Sequence, residues 1–423
     1  MTQEQVREIN MKKLKSESYV PRDQTGQEIT EWNMPTLWAE CKAAFQFEAR
    51  ERAIAEFNAA NRYKKRGIAM QPLKYTVGYL LMSGASSTVN INAADGTVAV
   101  QTGCCEMGQG CLTKVISTAA SVLGIPYEKV SAFYPNTSVL PNLQTDGGSA
   151  GTEVLCHATA DACRILKERL KPVEEVLLEE KKASAEASGE SGEDVSATWE
   201  EICARSFGPM PTDTRVLLSA TAMHSDAKYN AIRRTKDHPP PPVPYWNLDP
   251  IPGDMWQYYT TGCAATEVEV DVLTGSYTIL RADVVLDAGN SLNPLIDLGQ
   301  AEGGYVYGLG CYLQEEVLMD AATGKNKSDG TWNYKPPGNK DVPQVFNVSL
   351  HPGNGSSRTM FGSKGIGEAP FLLGYSAVSA IRVAVRASRL ERGLGGEFQL
   401  DSPATVDRVQ QAVGLRAADL SLE

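Results

Sequence analysis

The amino-acid sequence predicts an α+β protein of two α/β two-layer lobes with mixed sheets, and three observations carry that reading. Alternating apolar runs give way to a helical one between residues 66 and 124. The same succession returns between 264 and 309, and a proline run, Pro239–Pro242 with Pro244, separates the two. At 423 residues the chain has room for two or three such units, with a core that needs neither disulfides nor a structural metal. The expected division is a helical lead-in over 1–65, a first lobe over 66–238 and a second lobe over 239–423.

In order along the chain, residues 36–62 predict a helix. Leu37, Trp38, Cys41, Ala44 and Phe45 recur at three and four, Ile54 and Phe57 extend the stripe, and Glu48, Arg50, Glu51 and Arg52 fill the other face. After Gly67 the period becomes two, through Ile68 and Met70 and then Val89, Ile91, Val98 and Val100, with Asp95-Gly96 as a hairpin turn. A helix over 112–124 buries Leu112, Val115, Ile116, Ala119, Val122 and Leu123 and stops at Gly124 and Pro126. Another over 153–170 buries Val154, Leu155, Ala158, Ala162, Ile165, Leu166 and Leu170 and ends before Pro172. Residues 178–197 are Ser, Glu, Ala and Gly with little apolar content, and predict a mobile surface insertion. The proline run predicts a polyproline II connector. Residues 264–289 form a long hairpin turning at Leu273-Thr274-Gly275, and 294–309 a Gly-rich helix. A last helix over 369–390 has Pro370 in its first turn and Leu372, Leu373, Ala377, Ala380, Ile381 and Val385 inward.

Composition narrows the function classes. With 51 acids against 40 bases the net charge is −11, which disfavours nucleic-acid binding, and the short Lys64-Lys65-Arg66 run predicts a solvated face. No stretch approaches the ~18 apolar residues that cross a bilayer, and the N-terminus lacks the apolar centre of a signal peptide. No membrane partner and a cytoplasmic location with reduced thiols are therefore expected, the nine cysteines forming no framework. His157, His224, His238 and His351 show no metal-ligand spacing, and Cys104, Cys105 and Cys111 suit neither zinc nor an iron–sulfur cluster. No nucleophile elbow of a serine hydrolase is present.

Three glycine-rich loops stand where strand passes to helix: Gly103–Gly110, Thr145–Glu153 and Gly362–Pro370. Small residues let backbone N–H groups approach a ligand, and a helix N-terminus favours an anion. Each loop also reads as a tight turn with a capping residue. Lys364 can pair with a phosphate, and Glu368 sits in a helix's first turn, where a carboxylate also serves the dipole. Any chemistry would rest on a bound cofactor and a carboxylate.

Read together, these loops resemble the molybdenum hydroxylases, the xanthine dehydrogenases and aldehyde oxidases. Six segments in order carry the likeness: VREINM (6–11), FNAANRYKKRGIAMQPLKY (57–75), DGTVAVQTGCCEMGQGCLTKV (95–115), residues 265–303, GSKGIGEAPFLLG (362–374) and FQLDSPAT (398–405). The first and last look more like xanthine dehydrogenase. The resemblance implies the fold of the second molybdopterin-binding domain of that family and a molybdenum–molybdopterin cofactor. It implies that Gln109 sits beside the pterin and that Gln300 hydrogen-bonds it. Gly147, Gly148 and Ser149 would line the cofactor, with the Gly148 backbone near molybdenum but not a direct ligand, and Lys364 and Gly365 would complete the cofactor loop. Glu368 matches the catalytic glutamate, the base that takes a proton as water-derived oxygen is transferred. Tyr79 falls where an aromatic ring stacks on the substrate, and Leu80 where a threonine would stand.

The resemblance further implies a purine or aldehyde substrate, NAD or oxygen as electron acceptor in the complete enzyme, and a homodimer or an assembly with a chain supplying the missing half. FAD and two-iron, two-sulfur clusters are expected only in that complete enzyme. Segments like the iron–sulfur domain, the flavin domain and the first molybdenum half are absent, so the chain alone is expected to be inactive, as a fragment or a divergent separate subunit. Cys104-Cys105 replaces Gly-Thr, Gly147-Gly148 replaces Ala-Ala, and Ala369 replaces a proline. The functional reading is the molybdopterin-binding portion of a xanthine-dehydrogenase-like oxidoreductase. The alternatives are an aldehyde-oxidase-like portion or a non-catalytic remnant of the fold.

Overall fold

The computed structural model of the chain describes residues 1–423 except 12, 14, 15, 17, 24, 25, 79–83, 141–145, 190–194, 208–214, 225–255, 354, 357, 358 and 421–423. The proline run and the boundary expected at 238–239 lie outside the described residues.

Helix α1 (Gln3–Asn10) opens on a capping box between Thr2 and Gln5. The single helix expected over 36–62 is instead two, α2 (Met34–Phe45) and α3 (Phe47–Ala60), broken at Gln46 with φ of 57°. The reason lies on either side of the break. Phe45 and Phe47 are both buried, their rings 6.2 Å apart, whereas residues two apart in one helix point in nearly opposite directions.

Two four-stranded mixed sheets follow. The first has the order β4 (Val130–Phe133), β3 (Val98–Thr102), β2 (Ala85–Ile91), β5 (Ser219–His224), with β3 and β4 parallel and the other pairs antiparallel. The expected Asp95-Gly96 turn joins β2 to β3. Helices α4 (Cys111–Leu123) and α5 (Gly151–Ala187) cover this sheet, burying Val115, Ala119, Val154, Leu155 and Leu166 against Val89 and Val100.

The second sheet has the order β1 (Lys64–Val77), β6 (Tyr258–Asp271), β7 (Tyr277–Asp287), β8 (Val345–Leu350). Strand β1, which a boundary at residue 66 groups with the first lobe, pairs along its whole length with β6, from Lys64 opposite Asp271 to Val77 opposite Tyr258. The hairpin β6–β7 turns where expected, with a bulge after Glu267. Both faces of this sheet are covered. Ala264, Val268 and Val284 meet α7 (Pro294–Leu313), α9 (Tyr375–Glu391) and α10 (Val406–Val413) on one side. Cys263, Ala265 and Val285 meet α2 and α3 on the other, so the helical lead-in supplies a third layer.

Three local expectations change. Helix α5 runs through Pro172 to Ala187, because Leu166, Leu170, Val173 and Leu177 keep one apolar stripe across the proline. Its polar end, within the insertion expected at 178–197, is tied to α6 (Trp199–Phe207) by Lys181–Glu201 at 2.6 Å and Arg205–Glu180 at 2.5 Å. Lys65 is buried rather than solvated: its ammonium pairs with Glu391 and donates to the Asn58 carbonyl at 2.5 Å.

The helix expected over 369–390 breaks at Gly374 into α8 (Ala369–Leu373) and α9. A Cβ on Gly374 would stand 2.7 Å from the carbonyl carbon of Gly308, so the glycine lets α7 cross backbone to backbone. Contrary to the apolar count, the stretch Ala369–Glu391 is long and apolar enough to span a bilayer, yet in this fold it is α8 and α9, packed in the core on β1 and β6.

Candidate functional site

The three glycine-rich loops meet between the sheets. In the first, Glu106 organises the turn into α4. Its Oε1 accepts the N–H groups of Gly108 and Gly110, both at 2.9 Å, and its Oε2 those of Leu112 (3.0 Å) and the Cys111 thiol (3.2 Å). Burial opposes the charge, but these donors, Leu112 and Gly110 foremost, hold the carboxyl below its ordinary value. Gly110 adopts φ of +78°, and a Cβ there would collide with Ile296 of α7.

Gln109, partly buried, bonds to protein groups. Its Nε2 donates to the Cys105 carbonyl (2.7 Å) and to Asp146 Oδ2, and its Oε1 accepts the Met107 N–H at 2.6 Å. It thus ties the first loop to the second at the wall of the cavity. Burial raises the Asp146 pKa; the bond from Gln109 opposes this, and the negative Glu106 and Glu368 reinforce it.

In the second loop Gly148 (φ +62°) and Ser149 (φ +58°) are both left-handed, unusual for the serine. The conformation turns the Ser149 hydroxyl toward Glu368: Oγ accepts the Glu368 N–H at 2.8 Å and donates to Glu368 Oε2 at 3.4 Å. The third loop is gripped from β6. Gly365 N–H donates to Tyr258 Oη (2.9 Å), its carbonyl accepts from Thr260 Oγ1 (2.7 Å), and Tyr258 donates to Glu153 Oε2 (2.9 Å). A Cβ at Gly365 would stand 2.6 Å from the Ser149 carbonyl oxygen, so only glycine permits this approach.

Tyr75, opposite Thr260 in the β1–β6 register, donates to Glu368 Oε2. Burial first, then the bond to Glu368 and its negative charge, raise the phenol well above its ordinary range. Between the lobes, Lys114 of α4 and Asp297 of α7 form a buried ion pair at 2.5 Å, and Ser291 donates to the same carboxylate at 2.6 Å.

These loops enclose a cavity of about 200 Å³ whose walls include Gln109, Gly147, Ser149, Gln300, Lys364, Gly365 and Glu368. Seven of the residues singled out from the sequence are therefore brought together. Gly148 is not among the wall residues; its part is the turn that aims Ser149. Lys364 does not offer its charge to a phosphate: with its side chain 1% exposed, the ammonium is held by Asp287 at 2.8 Å and Glu31 at 3.3 Å. Tyr79 and Leu80 lie outside the described residues. The sequence reading missed Tyr75, Asp146 and the Tyr258–Glu153 pair. Asp146 and Glu153 lie in the second glycine-rich loop and Tyr75 ends the segment 57–75, but none of them was given a role, and only the long-range β1–β6 register brings Tyr75 and Tyr258 to this face.

Helix α5 begins at the cavity with Gly151, Thr152 and Glu153, while α4 and α7 contribute Lys114 and Asp297 and Gln300 from beyond their first residues. The arrangement leaves one carboxylate, Glu368, at hand to move a proton.

Comparison with known proteins bears on this geometry. The profile of the molybdopterin cofactor-binding domain matches residues 40–343. Aldehyde oxidase 1 of Macaca fascicularis is 34% identical over 415 residues, covering 97% of this chain and 28% of that protein. Xanthine dehydrogenase of Drosophila subobscura is 34% identical over 388 residues, covering 91% and 26%. The chain thus spans about a quarter of the length of these relatives. Among solved structures, quinoline 2-oxidoreductase from Pseudomonas putida 86 superposes with a TM-score of 0.72 at 22% identity, over 95% of this chain and 48% of that one. Aldehyde oxidoreductase from Desulfovibrio gigas gives 0.66 at 23% identity, over 94% and 38%. These two share the fold. The matched profile and the curated relatives go further: the chain belongs to the molybdopterin cofactor-binding domain family, and it is the molybdopterin-binding region of the xanthine dehydrogenase and aldehyde oxidase type.

Proposed function

We propose that this chain is the molybdopterin-binding portion of an oxidoreductase that hydroxylates a purine or related heterocycle with oxygen from water, with Glu368 as the base. The observation that carries the reading is the state of the Glu368 carboxylate in the cavity. Oε2 accepts from Tyr75 and Ser149, while Oε1 has no protein partner among the described residues.

The walls fit the cofactor. Gly147 has nothing within 4 Å of where a Cβ would stand, which leaves room beside the second loop. A side chain at Gly367 would fill the space toward Ser149 Oγ and Gln300 Oε1, at 3.5 and 3.7 Å. Among the described residues no cluster of three His, Cys, Asp or Glu groups is placed to ligate a metal ion.

When bound, the molybdenum–pterin group supplies the redox chemistry. The chain's own residues position and accept. Gln300 and the loop amides orient the pterin, and the small glycine walls keep its approach open. Glu368 takes the proton at Oε1 while Oε2 stays bonded to Tyr75 and Ser149. Flavin, iron–sulfur clusters and the electron acceptor belong to polypeptide beyond this region, so turnover requires the assembled enzyme.

Glu368→Gln in that cofactor-loaded enzyme is expected to lower kcat by ~10²–10⁴ with molybdenum and pterin content unchanged. Loss of cofactor with normal turnover per bound molybdenum would overturn the assignment. An aldehyde is the second substrate class, because an aldehyde oxidase and a xanthine dehydrogenase align at the same 34% identity. The ratio of kcat/KM for xanthine and an aromatic aldehyde decides between them.

A further inference from the structure

Two oxygens of one carboxylate meet different surroundings in this cavity, and the difference comes from β1. Residues alternate across a strand, so Tyr258 and Thr260 of β6 share a face, and Tyr75, the cross-strand partner of Thr260, shares it with them. Three hydroxyls in a row thereby meet the loop 365–368: Tyr258 on the Gly365 N–H, Thr260 on its carbonyl, and Tyr75 on Glu368 Oε2.

We propose, on the reading of Glu368 as the base, that Tyr75 is its positioning residue: the phenol fixes Oε2 and so presents Oε1 to the cavity as the basic oxygen. The Tyr75 ring is half-buried and packs beside Val77, Ala150 and Tyr258, which locks its direction. Packing alone would be met by phenylalanine; the hydroxyl adds only the contact to Glu368 and its neighbour Ser149. The other groups facing Glu368 are Ser149 and the acidic Asp146 from the second loop and the neutral Gln300 from α7. The nearby Lys364 cation is turned to Asp287 and Glu31. Tyr75 and Ser149 are thus the donors that hold the carboxylate in place.

Two measurements test this. The first uses the cofactor-free chain labelled with 13Cζ-tyrosine, the Tyr75 resonance being assigned by its loss in Tyr75→Phe. That resonance is expected to shift when Glu368→Gln replaces the carboxylate its hydroxyl meets, and to keep its position in Asp146→Asn. A Tyr75 resonance indifferent to Glu368→Gln would overturn the proposal without touching catalysis. The second uses the assembled, cofactor-loaded enzyme. Tyr75→Phe, which keeps the ring, is expected to lower kcat about ten-fold and displace the acid limb of the pH–rate profile, with KM changed less than about two-fold. An unchanged kcat and profile would refute a positioning role. Full turnover in Glu368→Gln would instead refute the reading of the base, so the two failures are separable.

Discussion

Lys364, Asp287 and Glu31 form an ion-paired group inside the second lobe, with the Lys364 and Asp287 side chains 1% and 2% exposed. Asn33 adds a donor to Asp287 at 2.8 Å. Removing one member of a buried pair leaves an uncompensated charge, so Lys364→Met is expected to cost about 3–5 kcal/mol in urea denaturation. Cofactor retention in the molecules that remain folded should be unchanged. Pterin loss at unchanged stability would return Lys364 to the phosphate role that its glycine-flanked loop suggests. Glu368, Gln300 and Ser149 were named as a set through the family resemblance, and all three line the cavity. What each polar atom bonds was not legible. Gln109 uses its amide on Cys105 and Asp146, and a sequence carries no sign of partners that folding brings from another loop.

Among the elements, α5 is the instructive one. Pro172 lacks the N–H that would complete the helical ladder, and it is exposed, so nothing packs on its ring to compensate. Pro172→Ala is expected to stabilise the first lobe by about 2 kcal/mol, read as a higher urea midpoint at unchanged slope. A lower midpoint would mean that a bend at this proline is needed for Val173 to reach the core. The 3.6-residue period found α4, α7 and the start of α5, where one face is apolar over several turns. It missed the breaks at Gln46 and Gly374, since these follow from which faces must turn inward and from how closely α7 crosses. Proline alone does not end a helix when Leu170, Val173 and Leu177 continue the buried stripe.

For the whole molecule, acid stability follows from a pair of histidines distant in sequence. His157 of α5 stacks on His224 of β5 with ring centroids 4.5 Å apart. Burial first, then the neighbouring His224 charge and Arg164, against Asp161, lower the His157 pKa from 6.5 to about 4. Across that interval the unfolded chain binds the proton that the folded chain refuses, so stability falls as pH drops, by on the order of 3 kcal/mol in all. Asp320, paired with Lys327, and Asp419, paired with Arg416, are held at about 2, so their contributions fade only below 3.8. Urea midpoints measured between pH 6.5 and 4 should decline, and His157→Phe should flatten most of that decline. A wild-type midpoint level through this range would refute the account. The two-sheet architecture was legible because strand and helix periods succeed each other twice. The partnership of β1 with β6 was not, since pairing across an entire lobe leaves no local trace.

That partnership makes the first lobe a guest within the second. The chain lays down β1, leaves at Val77, builds the whole first sheet with its helices, and returns at Tyr258, the register partner of the residue it left. Paired strand positions lie only about 5 Å apart, so the guest enters and leaves through a single doorway. During synthesis β1 waits unpaired until the guest is complete, and loop closure across so long a segment comes late in folding. The cavity stands at that doorway, bounded by Tyr258 on the returning strand, so it is assembled by the act that closes the chain.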